Sequence, residues 1–257
     1  MFPSIRPRYR YLTLTLLLAT TYLLSSKIHH LTHSHLYDLS YNTLFTRQFN
    51  VYILTSSCDR FTPDIVSQFD FNESSSSIYL VPNGPGIPEC DALGHQQLDI
   101  YLNTETQSKD DLFRNKYTQV LTHCHTSHKS KCLILEDDII FLHPGERTRS
   151  VLIENTLPLF NDGESDAFDC TKRGFGWFGT THTGMGSQCR VYSAHSAECL
   201  KSCLEGPEKE WQVDTGLRNC QMRCGLKQKR FLLVVHGGLG STMGRGEKEN
   251  KGIESEG

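Results

Sequence analysis

Three carboxylates in a row, Glu136, Asp137 and Asp138, sit inside the apolar stretch 132–142, CLILEDDIIFL. A Leu- and Ile-rich run of this kind reads as a strand buried on both faces of a parallel sheet, and charges belong at the end of such a strand. The acids therefore mark where the strand leaves the sheet, at the carboxyl edge where open α/β sheets bind their ligands. Adjacent anions repel one another, so a cation is expected to neutralise them. Hard oxygen donors on a short acidic turn suit Mn²⁺ or Mg²⁺ carrying a diphosphate. A solvated acidic turn after a core strand is the plainer alternative.

Further along, 175–187 is rich in glycine, Asp214 lies in 211–217, WQVDTGL, at a helix start, and His236 closes the apolar run 231–235. An acidic strand end, a glycine-rich segment and a terminal histidine share one explanation in a sugar-nucleotide transferase. There a divalent cation held by carboxylates offsets the diphosphate charge as the glycosidic bond breaks. Phe175, Trp177 and Phe178 offer aromatic faces for a sugar ring, and Lys172 and Arg173 offer charge for acceptor phosphates. Arg114 and Lys116 precede the acidic strand; they face either the diphosphate or solvent.

The elements that must position these residues alternate between strand and helix. Strand patterns fall at 49–55, 78–81, 132–136, 166–169, 188–193 and 231–235. Helical patterns fall at 62–69, 110–124, 145–157, 193–204 and 213–224. This alternation argues for a layered α/β domain with a mostly parallel sheet. Cys199 and Cys203, and again Cys220 and Cys224, are four apart, which places each pair on one face of a helix. Two facing helices with this spacing can be stapled twice, Cys199 to Cys224 and Cys203 to Cys220; a zinc site lacks the tight Cys-x-x-Cys spacing.

The net charge of -3, from 26 Lys and Arg against 29 Asp and Glu, supplies no basic field for nucleic acid, so none is expected as a partner. Arg6, Arg8 and Arg10 precede an apolar run from Tyr11, and 11–28 reads as a single membrane anchor. At about 27 Å as a helix it suits a thin bilayer. The basic flank puts 1–10 in the cytosol and the remainder in a lumen, as a type II protein. A cleaved signal peptide is the rival, but no small-x-small cleavage site follows Leu24. An even count of 10 cysteines fits that oxidising compartment, and Asn72 begins a glycosylation sequon. Residues 29–48 form a polar stem, 49–243 the folded domain, and 244–257 a charged, glycine-rich tail expected to be disordered.

The first strand, the Glu136-Asp137-Asp138 turn, the loop Gly184-Met185-Gly186-Ser187, the acidic helix start at Asp214, and a strand ending in His236-Gly237 before Ser241 occur in the order of a GT-A glycosyltransferase core. Over 49–243 the chain resembles the post-GPI attachment to proteins factor four family, Golgi enzymes that add N-acetylgalactosamine to the GPI glycan. The run LEDDI is also shared with the branching N-acetylglucosaminyltransferases of N-glycans. Animal members of the GPI family carry an extra pair of membrane helices inside the domain, and no such pair is expected here; fungal-type relatives are simpler. The tail after Met243 has no counterpart.

The resemblance implies a GT-A, Rossmann-like layered sheet and a Golgi membrane enzyme moving N-acetylgalactosamine from UDP-GalNAc to a GPI-glycan acceptor, with inversion. It further implies that Asp138 and His236 hold Mn²⁺ (or Mg²⁺), with Glu136 orienting the pair. Asp137 would assist through the ion or the donor ribose, Gly184 and Gly186 would let the backbone approach the UDP-sugar, and Asp214 would be the general base. Read without the resemblance, Asp214 is an N-cap and His236 a loop residue.

Overall fold

The acidic motif ends the central strand of a seven-stranded sheet in the computed structural model, which describes residues 41–59, 61–70, 77–98, 108–171, 188–206 and 211–236. The chain divides into two units, Met1–Thr43 and Leu44–Gly257, and every strand of the sheet belongs to the second. Helical residues 44–48 (α1) lead into β1 (Phe49–Leu54). Then come α2 (Thr62–Ser67), β2 (Ile78–Val81), α3 (Pro88–Asp91) and β3 (Gln96–Gln97). The middle of the chain gives α4 (Lys109–Thr126), β4 (Lys131–Glu136), β5 (Ile139–Phe141), α5 (Glu146–Asn161) and β6 (Ala167–Asp169). It closes with β7 (Cys189–Ser193), α6 (Ala194–Glu205), α7 (Val213–Arg223), β8 (Gln228–Arg230) and β9 (Val234–His236).

The sheet order is β3-β2-β1-β4-β7-β6-β8, with β7 antiparallel to both of its neighbours and every other pairing parallel. The expected mostly parallel α/β sheet is therefore present. β1 and β4 are wholly buried, as their continuous apolar runs require of strands covered on both faces. Side chains alternate across the sheet. Tyr52, Leu54, Ile134 and Tyr192 pack against α4, α6 and α7 through Tyr117, Val120, Leu200 and Leu217. On the opposite face Phe49 stacks on Phe45 of α1, which also stacks on Phe69, while Phe160 of α5 packs edge-on to Phe168.

Two features depart from the sequence pattern. The apolar residues after the acids do not prolong β4; the chain turns at Asp137–Asp138 and β5 leaves the main sheet. The run 231–235 is not a buried sheet strand either, since only Val234–His236 is a strand and it pairs with β5 in a separate two-stranded sheet. The edge strands β3 and β8 carry no apolar alternation, which is why their polar sequences, QQ and QKR, gave no signal.

The twin staple is present as Cys199–Cys224 and Cys203–Cys220, which leaves those thiols unable to hold zinc. Two more bridges, Cys58–Cys90 and Cys124–Cys132, tie the end of β1 to α3 and α4 to β4. The proposed anchor 11–28, the stem up to residue 40, the sequon at Asn72 and the tail 244–257 lie outside the described residues. Among the described residues no helix is long and apolar enough to cross a membrane.

Candidate functional site

β1, β4, β6 and β8 run in one direction, so their carboxyl ends share one edge of the sheet, and α4 and α7 begin there. Glu136 is the last residue of β4 and its backbone N–H donates to the Gln188 carbonyl. Strand alternation puts its side chain on the helix-covered face with Ile134, where its charge acts on Tyr117. On the same face, across from Ile134, Arg190 forms a buried ion pair with Asp169 at 3.5 Å. Burial opposes the Arg190 charge, but Tyr192, Asp169 and Tyr117 outweigh it and hold the guanidinium above its ordinary value. Thr171 donates both its backbone N–H and its hydroxyl to Asp169 Oδ1.

Asp137 and Asp138 form the turn, and both are buried, at 3 % and 5 % exposure. Asp137 is bound to the end of β1. Its backbone N–H donates to the Leu54 carbonyl at 3.1 Å, and its Oδ2 accepts from the Thr55 hydroxyl at 2.8 Å and the Ser56 N–H at 3.3 Å. The Thr55 hydroxyl oxygen also accepts from the Cys58 N–H, and Cys58 takes a positive φ of 57°, unusual outside glycine, as the loop folds back toward its disulfide. Lys116 of α4 is fully buried and its Nζ donates to the Thr55 carbonyl. Burial pushes this ammonium down to about 7, with the Asp137 charge opposing.

The second sheet places His236 beside this turn. β5 and β9 are antiparallel and Ile139 is the register partner of His236, so the histidine backbone lies one residue step from Asp138. Facing Cα atoms in such a ladder are about 5 Å apart. Hydrogen bonds from Phe231, Leu233 and Val234 to Asp169 and Cys170 lay the approach to β9 along the end of β6. Of His236 only the backbone is described. A carboxylate and an imidazole are suitable donors for Mn²⁺, and among the described residues no three His, Cys, Asp or Glu side chains converge into a closed cage.

Asp214 is half-buried in the first turn of α7. Gln212, and not Asp214, is the N-cap, so capping does not account for the aspartate. Arg114 near the start of α4 donates to the Trp211 carbonyl and so ties this helix start to α4. Trp211 itself is 54 % exposed. The solvated-face alternative for Arg114 and Lys116 does not hold, because both are buried between α4 and its neighbours. Gly184 and Gly186 lie outside the described residues, as do Lys172, Arg173, Phe175, Trp177 and Phe178.

The backbones of Glu136, Asp137, Asp138 and His236 meet at one junction of the two sheets, and the residues around it that the sequence did not single out are Thr55, Arg190 and Asp169. Thr55 follows an apolar strand in a Thr-Ser-Ser run that reads as an ordinary turn; Arg190 inside a short β pattern is the one available signal of a buried ion pair.

No protein-family model matches the chain, and no curated protein is significantly similar to it. Among solved structures, the chain is similar to a candidate nucleotide-diphospho-sugar transferase from Desulfovibrio desulfuricans G20, at 8% identity over 72% of this chain and 79% of that one, with a TM-score of 0.45. It is also similar to residues 1–349 of S. aureus TarS, at 9% identity over 74% of this chain and 60% of that one, with a TM-score of 0.46; TarS is known in complex with UDP. A candidate glucose-1-phosphate thymidylyltransferase from Bacillus anthracis has 10% identity over 72% of this chain and 87% of that one, with a TM-score of 0.41.

Proposed function

We propose that this chain is a membrane-anchored Golgi glycosyltransferase that moves N-acetylgalactosamine from UDP-GalNAc to the glycan of a GPI anchor, with inversion. The observation that supports it most is the junction of the two sheets. A buried acidic turn at the carboxyl edge is joined, through the Ile139 to His236 register, to a histidine. Asp138 and the His236 imidazole would hold a Mn²⁺ or Mg²⁺ ion, which when bound supplies positive charge to the departing diphosphate. Such ions keep open positions for phosphate oxygens.

The remaining roles belong to the chain itself. Asp137, fixed by Thr55 and Ser56, presents a set geometry toward the donor ribose or the ion. Glu136, whose charge acts on Tyr117, anchors the turn from the face covered by α4 and orients the pair. Asp214 at the start of α7 takes the proton of the attacking acceptor hydroxyl. Gly184 and Gly186 are assigned to the donor-sugar loop by the family resemblance. The exposed indole of Trp211, three residues before Asp214, provides an apolar face at this helix start.

A UDP-release assay on the full-length chain with UDP-GalNAc and UDP-GlcNAc as separate donors tests this reading. Release from UDP-GalNAc in the presence of a GPI-glycan acceptor supports it. Release from UDP-GlcNAc alone, with an N-glycan acceptor, assigns the branching activity instead, and binding of glycan without UDP release assigns an inactive glycan-binding protein.

A further inference from the structure

We infer that Lys116 is a positioning residue for the donor end of this site: it locks the mouth of β1 to the acidic turn and acts through Asp137. The inference rests on the glycosyltransferase reading for its functional consequence, and on geometry for the coupling itself.

Lys116 lies on the inner face of α4 with Phe113, Tyr117 and Val120, among core residues, and has no exposed surface. A buried ammonium is costly, and an apolar side chain of the same length would fill the space without that cost. Its position therefore calls for a reason. The ammonium donates to the Thr55 carbonyl, the Thr55 hydroxyl donates to Asp137 Oδ2, and the Lys116 and Asp137 charges attract directly. One cation thus closes a triangle of helix α4, strand β1 and the β4 turn.

Arg114 reaches the Trp211 carbonyl and Arg190 pairs with Asp169. Lys116 is set against Asp137, in a turn where three successive acids repel one another. Asp138 occupies the other half of the same two-residue turn, so fixing the Asp137 carboxylate and its backbone also fixes where the Asp138 carboxylate emerges.

The test uses the full-length chain at pH 6.5, with the variants K116M, K116R, D137N and the K116M/D137N double. Two readouts are needed: the melting temperature without ligand, and the dissociation constant of UDP with Mn²⁺ by calorimetry. K116M is expected to melt cooperatively and to weaken UDP binding at least tenfold, D137N to weaken it similarly, and the double variant to bind no more weakly than D137N alone. K116R is expected to recover most of the loss, which also decides the matter if K116M does not fold. Without ligand, D137N lowers the melting temperature by several degrees by stranding the ammonium, and adding K116M restores it. Unchanged UDP affinity in K116M, or losses that multiply in the double variant, overturns the inference. If the wild-type chain binds no UDP, the glycosyltransferase reading fails, and the melting cycle alone decides whether Lys116 works through Asp137; additive melting shifts would refute it.

Discussion

Ile139 and His236 are register partners in the short β5–β9 ladder, which sets the histidine backbone one residue step from Asp138. Nothing in the sequence separation of these residues suggests the contact. It arises because β4 stops at Glu136, the chain turns through two acids, and β5 then leaves the main sheet for a partner close to the end of the described chain. Neutralising a buried acidic turn with an ion is the simplest use of that arrangement. His236→Ala is expected to lower Mn²⁺-dependent transfer at least a hundredfold while moving the melting temperature by no more than about 2 °C, checked by steady-state kinetics and thermal melting. Retained transfer removes the histidine from the site.

Asp214→Asn keeps the size of the side chain and removes its basicity. General base catalysis typically contributes 10²- to 10⁴-fold, so kcat should fall by about that factor while the KM for the donor changes little. Loss of favourable charge at the α7 N-terminus costs less than about 1 kcal/mol of stability. A variant whose kcat is within threefold of the parent would assign Asp214 to helix stabilisation alone.

The depressed Lys116 value carries a sign that melting experiments can read. Burial pushes its ammonium from 10.5 down to about 7 in the folded chain, so between those values the unfolded state binds more protons. Stability then rises with pH through that window, by at most about 5 kcal/mol once the buried charge is fully relieved. The difference in melting temperature between the parent and Lys116→Met should therefore shift in favour of the parent from pH 6.5 to pH 9. A flat difference would show that Lys116 does not titrate there.

The Arg190–Asp169 pair lies in the core, at 3% and 0% side-chain exposure. Removing one partner leaves the other charge buried, so Asp169→Asn is expected to cost about 3–5 kcal/mol, whereas a joint apolar replacement of both should cost less. Denaturant unfolding of the single and double variants separates the two. Equal losses for single and double would mean that the pair contributes packing only.

Peptide mapping without reduction should recover Cys199 joined to Cys224 and Cys203 joined to Cys220. Removing the inner bridge as Cys203→Ser with Cys220→Ser should cost less than about 3 kcal/mol, because the outer bridge still restrains the same helices. Free thiols at all four positions would contradict the stapled α6–α7 pair.

The sequence revealed those parts of the fold that local forces determine. β1 and β4 are buried throughout and mostly apolar because both of their faces are covered, so composition alone located them. The staple was legible because a spacing of four residues on two helices fixes which thiols can meet. The fate of Arg114 and Lys116 was not, because α4 packs on the sheet and on α6 and α7, and buries flanks that charged residues in one helix ordinarily leave in water. β8 and β3 were invisible because edge strands are held by backbone pairing rather than by apolar side chains. The junction itself was half legible: the acids announced the strand end, but the ladder that brings His236 to them is long-range pairing that no local pattern encodes.

At the centre of the proposed mechanism, the acidic turn holds a cation against a nucleotide diphosphate. Calorimetry of UDP binding to the full-length chain, with and without Mn²⁺ and with Asp138→Asn alongside, measures this directly. Binding is expected to be at least tenfold tighter with Mn²⁺ in the parent, with no such gain in the variant. UDP affinity indifferent to Mn²⁺ in the parent, or an equal gain in Asp138→Asn, would contradict it.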